Sequence, residues 1–179
     1  MPGSMVVYDS HYGNTERIAR AIASGLSEHG EVELLPVYVA LTNPPAWPEL
    51  VVIGGPTQRH GMSPTLRAFI DALPQDGLAD RRAALFDTRY RMATLFSGSA
   101  AGQAAGRLRR SGCKLVGPPQ SFFVERDHPP ADEKRRHGLE RLEEGELERA
   151  AAWGRTLSTA VALDWTGHEL MVATRTRMR

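Results

Sequence analysis

The segment that decides the fold lies near the start of the chain and is Val6–Thr15, VVYDSHYGNT. It opens with an apolar run typical of a buried strand and continues into a loop of hydroxyl-bearing, Gly and Asn residues. From about Thr15 to His29 the apolar residues recur at helical spacing, so a helix follows the loop directly. Backbone N–H groups at such a helix start point toward one position, which favours binding of an anion. Because residues 10–15 contain no Lys or Arg, we expect hydrogen bonds and the helix dipole to hold this anion.

Motifs that are absent narrow the class of anion and leave the catalytic residues unknown. The Gly-Lys-Ser/Thr of an ATP-binding P-loop and the G-x-G-x-x-G of dinucleotide sites do not occur, which favours a monophosphate. G-x-S-x-G and H-E-x-x-H do not occur either, and no Ser-His-Asp arrangement can be claimed from the sequence. The single cysteine, Cys113, excludes an internal disulfide and a multi-cysteine metal site, and we expect no bound metal.

The rest of the chain alternates short apolar runs with amphipathic helical stretches, a pattern typical of a parallel sheet flanked by helices. Pro36 indicates that the second strand ends early or lies at a sheet edge. The fourth strand is either Ala83–Phe86 or Met92–Phe96, and we prefer the first, which leaves Asp87–Thr94 as a loop at its carboxyl end. The predicted strands are Met5–Tyr8, Glu31–Val37, Leu50–Ile53, Ala83–Phe86 and, as two pieces of the fifth, Lys114–Val116 and Ser121–Val124.

Three further helices are predicted, and one of them carries glycines at intervals of four. Such a row allows close approach of a neighbouring element, so we expect this helix to pack tightly on the sheet, with a subunit contact as the alternative. The row is Gly98, Gly102 and Gly106, in a helix that begins near Ser97 or Ser99. The other two helices begin at Pro64, capped by Ser63, and near residue 146, the latter ending near residue 160.

The composition indicates one globular domain with little net charge. Its 22 Lys and Arg residues against 21 Asp and Glu residues give a formal charge of +1, which argues against a nucleic-acid-binding protein and a disordered chain. We assign residues 1–160 to one domain and residues 161–179 to a C-terminal extension. No apolar run reaches the roughly 18 residues of a membrane span. The start lacks the features of a signal peptide, so we expect a cytoplasmic protein without membrane contact.

The segment Val6–Ile22 resembles the amino-terminal signature of the flavodoxin-like family. Residues 51–63 look like the family's second flavin loop, especially in quinone reductases of the tryptophan-repressor-binding-protein type, and residues 145–154 are similar to its final helix. The resemblance implies an α/β fold, the flavodoxin-like three-layer sandwich, with a five-stranded parallel sheet of order 2-1-3-4-5. Its ligand lies at the carboxyl ends of the strands, where the order switches. The matching signature positions are Val6, Val7, Tyr8, Ser10, Gly13, Thr15, Ala19 and Ile22.

The resemblance also implies FMN as the cofactor and three loops that would contact it. The first would hold the phosphate, and the second would line the ribityl chain and one side of the isoalloxazine. In the third only Tyr90 could stack on the ring, and if residues 92–96 form the strand, Ser97 and Ser99 would supply the contacts. The implied residues are Ser10, His11, Tyr12, Gly13, Asn14 and Thr15 in the first loop, Pro56, Thr57, Gln58, Arg59, His60 and Gly61 in the second, and Asp87, Thr88, Arg89 and Tyr90 in the third.

A cation in the second loop would have a chemical consequence for the flavin. Placed near N1, Arg59 or His60 would stabilise the anionic reduced form and raise the reduction potential. The alternative interpretation of His60 is an exposed loop residue without a role.

The implied function is that of an FMN-binding redox protein, acting in electron transfer or in NAD(P)H-dependent reduction of quinones or similar small acceptors. Electron-carrying flavodoxins are typically strongly acidic, so a charge of +1 favours the reductase over a carrier with a redox partner protein. Enzymatic activity and a homo-oligomer are both left open by the sequence. The alternative function is a flavodoxin-like domain with weak or lost FMN binding that acts as a binding or assembly module.

Overall fold

The computed structural model describes residues 3–58, 60–73, 81–92, 98–110, 112–125 and 142–160. In this part of the chain seven strands form one sheet, and helices cover both of its faces. The strands are β1 (Ser4–Tyr8), β2 (Val32–Pro36), β3 (Leu50–Gln58), β4 (Gly61–Met62), β5 (Arg82–Tyr90), β6 (Lys114–Leu115) and β7 (Gln120–Val124). The helices are α1 (Asn14–Leu26), which a 3-10 turn (Ser27–His29) extends, α2 (Val37–Thr42), α3 (Pro64–Ala72), α4 (Ala100–Arg110) and α5 (146–160).

The strand order confirms the predicted topology. β1 lies between β2 and β3, and β5 lies on the other side of β3, with every one of these pairs parallel. β5 then pairs in parallel with β6 at its start and with β7 at its end, so β6 and β7 are two pieces of one fifth strand. β4 turns back from β3 as an antiparallel hairpin. The main sheet therefore has the order β2-β1-β3-β5 followed by β6 and β7. This is the predicted order 2-1-3-4-5 when the hairpin strand β4 is left out and β6 and β7 are counted as one strand. β2 lies at the edge of the sheet and ends at Pro36.

Two hydrophobic cores form because successive side chains of a strand point to opposite faces of the sheet. Met5 and Val7 of β1 belong to the core under α2, α3 and α4, whereas Val6 and Tyr8 belong to the core under α1 and α5. All four residues of Leu50–Ile53 in β3 are fully buried, as expected for a central parallel strand that helices cover on both faces. The three layers of the sandwich follow directly from this alternation.

The preferred fourth strand, Ala83–Phe86, is confirmed, but the strand is longer than predicted. β5 continues to Tyr90, so the prediction of a loop from Asp87 onward is wrong for residues 87–90. The extension exists because β7 pairs with this part of β5, in register from Phe86 opposite Gln120 to Tyr90 opposite Val124. Of the competing strand at residues 92–96, all but residue 92 lies outside the described residues, as does residue 97.

The predicted helix starts are confirmed at two N-terminal caps. The Ser63 hydroxyl accepts a hydrogen bond from the Leu66 N–H at 3.1 Å, with Pro64 in the first turn of α3. The Ser99 hydroxyl accepts from the Gly102 N–H at 3.0 Å, directly before α4. The last helix covers the predicted residues 146–160, whereas α2 was not predicted.

α4 packs in the core over the sheet as expected, but Gly102 and Gly106 of the predicted row do not make this contact. The buried face of α4 consists of Ala and Leu residues, and a Cβ at Gly106 would meet no heavy atom within 4 Å. The close helix contact lies instead between α1 and α5, where a Cβ at Gly25 would clash with the Ala151 carbonyl oxygen. A Cβ at Gly154 would likewise clash with the Ile22 carbonyl oxygen. Backbone meets backbone at this crossing, which only glycine permits.

Candidate functional site

The candidate site lies at the carboxyl edge of the sheet, around the ends of β1, β3 and β5. β1 has β2 on one side and β3 on the other, so the chain leaves it at the point where the strand order reverses. The Asp9 N–H donates to the Gly54 carbonyl at 3.0 Å and continues the pairing of β1 with β3 into the first loop. In open parallel sheets this switch point is where ligands bind.

The first loop turns sharply from β1 into α1, and Gly13 makes the turn possible. Gly13 has φ 87° and ψ −19°, a left-handed conformation that side-chain-bearing residues adopt at a cost. The Ser10 hydroxyl organises the turn by accepting from the N–H groups of Gly13 and Glu16, each at 3.2 Å. The loop is therefore ordered by its own residues.

Several N–H donors at the start of α1 have no acceptor in the described part of the chain. Among the described residues, none accepts from the backbone N–H groups of His11, Tyr12 and Thr15. Thr15 is buried, whereas Tyr12 is exposed at the rim. Unpaired N–H groups and the positive end of a helix dipole together form an anion site. This arrangement fits a phosphate at the position predicted from the sequence.

A buried pair of hydroxyl groups joins the first loop to β5. The Oγ1 atoms of Thr15 and Thr88 lie 2.7 Å apart, and both residues are at least nine-tenths buried. Thr88 of β5 is paired in register with Pro56 of β3, so one residue from each of the three predicted loops lies here. Asn14, which directly precedes Thr15 in the sequence, is also buried.

Asp9 is a buried carboxylate at the base of the site that sequence reasoning did not assign. Its Oδ2 accepts from the Ser63 hydroxyl and lies 3.5 Å from Nε2 of the half-exposed His11. Because Ser63 also caps α3, Asp9 links the first loop to the start of that helix. The position of a carboxylate at the end of an apolar strand was the only sequence signal for it.

Tyr8, the last residue of β1, has a raised pKa. Burial of its hydroxyl group is the larger cause, and the negative charge of Glu16 is the next.

The second loop is a tight hairpin between β3 and β4. Thr57 pairs with Met62 and Gln58 with Gly61, while Arg59 lies outside the described residues. His60 has φ 71°, a left-handed backbone conformation that costs a residue with a side chain about 1–3 kcal/mol. Its side chain is exposed.

Gln103 of α4 holds this hairpin at two points. Its Nε2 donates to the His60 carbonyl at 3.1 Å, and its Oε1 accepts from the Met62 N–H at 3.3 Å. A Cβ at Gly98 would clash with the same His60 carbonyl, so the chain before α4 passes directly against the hairpin. Sequence reasoning missed Gln103, because nothing local marks a side chain that acts on a loop some forty residues earlier.

Asp87 and Thr57, both predicted to contact the ligand, are bound to the start of α4. Asp87 is fully buried, and its Oδ2 accepts from the Ala101 N–H at 3.2 Å and from the hydroxyl groups of Ser99 and Thr57 at 2.6 and 3.0 Å. Thr57 Oγ1 in turn accepts from the Ala100 N–H at 3.0 Å. A helix start needs such acceptors, and these two side chains supply them. The pair therefore fixes α4 against β3 and β5.

Arg89 and Tyr90 are placed by β7. The Nε of Arg89 donates to the Ser121 hydroxyl at 2.9 Å and lies 3.8 Å from Asp87 Oδ1, an atom that has no hydrogen-bond donor among the described residues. The guanidinium also lies 5.4 Å from the centre of the Phe123 ring. Tyr90 is half-buried at the end of β5. Arg89 is thus directed toward β7.

No helix in the described part of the chain is long and apolar enough to cross a membrane.

Comparison with known proteins agrees with this fold. A family model described as a flavodoxin domain matches residues 5–95, and no curated protein sequence matches the chain. Among solved structures, a flavodoxin from the domain Archaea is similar at 20% identity and a TM-score of 0.67, covering 89% of this chain and 98% of its own. A WrbA-like flavodoxin from Agrobacterium tumefaciens is similar at 18% identity and a TM-score of 0.65, covering 91% and 99%.

A longer protein also contains this fold. The flavodiiron protein from Giardia intestinalis is similar at 22% identity and a TM-score of 0.63, over 89% of this chain and 36% of its own. These likenesses concern the fold. Since the model of the flavodoxin domain matches more than half of the sequence, the chain belongs to the flavodoxin family.

Proposed function

We propose that this protein binds FMN at the carboxyl edge of its sheet and uses it in electron transfer or in the NAD(P)H-dependent reduction of quinones or similar small acceptors. One observation carries the proposal: N–H donors without acceptors among the described residues lie at the start of α1, at the switch point of the sheet. A dianionic phosphate is the ligand that such donors suit best.

The first loop, Ser10–Thr15, would hold the phosphate through hydrogen bonds. The N–H groups of His11, Tyr12 and Thr15 offer three donors, and the Ser10 hydroxyl adds a fourth group beside them. Hydrogen bonds to a charged acceptor are worth about 1.5–3 kcal/mol each. Three or four of them support micromolar binding without a cationic side chain, even after the cost of ordering the ligand.

The second and third loops would form the walls around the ring. The hairpin follows β3, the strand that pairs with β1 up to the start of the first loop, and the His60 side chain is exposed. Thr57 and Asp87 support these walls, because their side chains hold the start of α4 against β3 and β5. When bound, FMN supplies reversible one- and two-electron transfer, while the chain binds and orients it.

The low net charge favours a small-molecule acceptor. A formal charge of +1 provides little long-range field to steer a basic partner protein onto this surface. A small quinone needs no such field, because it diffuses into the site itself. We therefore favour the reductase within the proposed function.

A second function has one observation in its favour. Asp87 is fully buried and the Thr57 hydroxyl is bound to α4, so two residues that the family resemblance assigns to FMN are engaged within the protein. A domain with fewer ligand contacts would bind FMN weakly and serve as a binding or assembly module.

Titration of FMN with the purified protein tests the proposal. We expect saturable quenching of flavin fluorescence at micromolar concentrations, followed by NADPH-dependent reduction of a soluble quinone. The absence of saturable binding would contradict the proposal and favour the assembly module. Binding without turnover, but with reduction by a partner reductase, would identify a carrier.

A further inference from the structure

A groove of about 690 Å³ is lined by residues of the hairpin, of α3 and of α4. This volume is in the range of sites for small organic ligands, about 300–1,000 Å³. The hairpin contributes Gln58 and Gly61 to its lining, so the groove shares residues with the second predicted loop. Its other lining residues include Met62, Arg67, Ala68, Asp71 and Gln103.

The groove contains a positive charge that has no partner among the described residues. Asp71 forms an ion pair with Arg107, whose Nε lies 3.0 Å from Asp71 Oδ1. Within the described part of the chain no group pairs with the guanidinium of Arg67, and the side-chain amide of Gln58 is also unpaired. The amide of Gln103, by contrast, binds the hairpin through both its nitrogen and its oxygen. The groove therefore presents one available cation and one available amide.

The remaining lining combines apolar side chains with a cationic one. Met62 and Ala68 provide apolar surface beside Arg67, and a guanidinium binds phosphate, sulfonate or carboxylate through paired N–H groups. We propose that this groove is the subsite for the anionic group of the second substrate, which rests on the proposed redox function. The anion is either the 2′-phosphate of the NADPH donor or an acidic substituent of the quinone acceptor.

Anthraquinone-2-sulfonate is a suitable probe, with 2-(hydroxymethyl)anthraquinone as its uncharged counterpart. Binding of each to the full chain is measured calorimetrically, with and without saturating FMN. Arg67→Gln removes the charge of the groove. Arg109→Gln removes a charge from the last turn of the same helix that carries Gln103 and is the matched control.

We expect Arg67→Gln to weaken sulfonate binding about tenfold and to change binding of the uncharged probe by less than about twofold, since tenfold corresponds to one charge-assisted hydrogen bond. Arg109→Gln should change neither. In the wild type, NMR signals of the side-chain amides of Gln58 and Gln103 should shift as the sulfonate saturates. Equal sulfonate affinity of the wild type and Arg67→Gln, or no binding at all, would overturn the subsite.

Competition identifies the source of the anion. Displacement of the probe by adenosine 2′,5′-bisphosphate, but not by adenosine 5′-monophosphate, assigns the groove to NADPH. Displacement by neither assigns it to the acceptor, and equal displacement by both overturns a substrate subsite. These measurements require no turnover, so a failure of FMN binding and a failure of the groove are separate results.

Discussion

Replacing Gly13 by alanine tests whether the first loop must keep its left-handed turn to hold a phosphate. Gly13 has φ 87°, and a Cβ there would meet no heavy atom within 4 Å. The substitution causes no clash, so its cost is the strain of alanine at positive φ, about 1–2 kcal/mol. The exposed loop relaxes toward negative φ in the free protein, and FMN binding has to restore the turn. We therefore expect Kd for FMN to rise about 5- to 30-fold.

Gly145 offers a closely matched control. It has φ 80°, it also directly precedes a helix, and a Cβ there would likewise meet nothing within 4 Å. The carbonyl of each glycine accepts from the N–H four residues later at 3.0 Å. Gly145→Ala introduces the same backbone strain, but this glycine lies near β7, three strands away from β1 and the first loop. Kd for FMN should therefore stay within about twofold of the wild type.

Fluorescence quenching of FMN by each apoprotein measures Kd, and urea unfolding verifies that both variants are folded. An unchanged Kd in Gly13→Ala would refute the reasoning, and so would an equal rise in Gly145→Ala.

Three further predictions concern the packing that supports the site. Gly25→Ala should lower the free energy of unfolding by about 1–3 kcal/mol, because the added Cβ meets the backbone of α5. Gly106→Ala should raise the free energy of unfolding by up to about 1 kcal/mol, because alanine favours the helix and its Cβ meets no other atom. Equal effects of the two variants in urea unfolding would contradict the assigned contact. Thr15→Val and Thr88→Val should each lower the free energy of unfolding by about 1–2 kcal/mol, and the double variant should lower it by less than the sum of the two. Strict additivity of the two losses would contradict the hydrogen bond between these hydroxyl groups. Burial raises the pKa of the Cys113 thiol, so the folded protein keeps it protonated where the unfolded chain begins to ionise. Stability should therefore fall as pH rises above about 8.5, more in the wild type than in Cys113→Ala, and parallel pH profiles of the two proteins would contradict this.

The central strands and the place of the first loop could be predicted from local patterns, whereas the order of the strands was implied by the family resemblance. Fully apolar runs such as Leu50–Ile53 identify central parallel strands, and the loop Ser10–Thr15 stands between a strand and a helix in the chain itself. Neighbours in sequence are neighbours in space here. The anion site at the start of α1 therefore needs no long-range contact to be recognised.

The residues that failed prediction depend on distant partners. Asp87 reads as a loop residue until β7 extends the strand around it and α4 brings its N–H groups to the carboxylate. Gln103 acts on the hairpin only because α4 packs beside it. The contact of Gly25 with α5 joins segments more than a hundred residues apart, and no periodic pattern marks it.

The central claim is that the unpaired N–H groups at the start of α1 bind the phosphate of FMN. An FMN titration followed in 1H–15N NMR spectra tests it most directly. The account predicts saturable shifts of the backbone amides of His11, Tyr12 and Thr15, with smaller shifts when riboflavin replaces FMN. Equal shifts with riboflavin, or no saturable shift at these three amides, would contradict it.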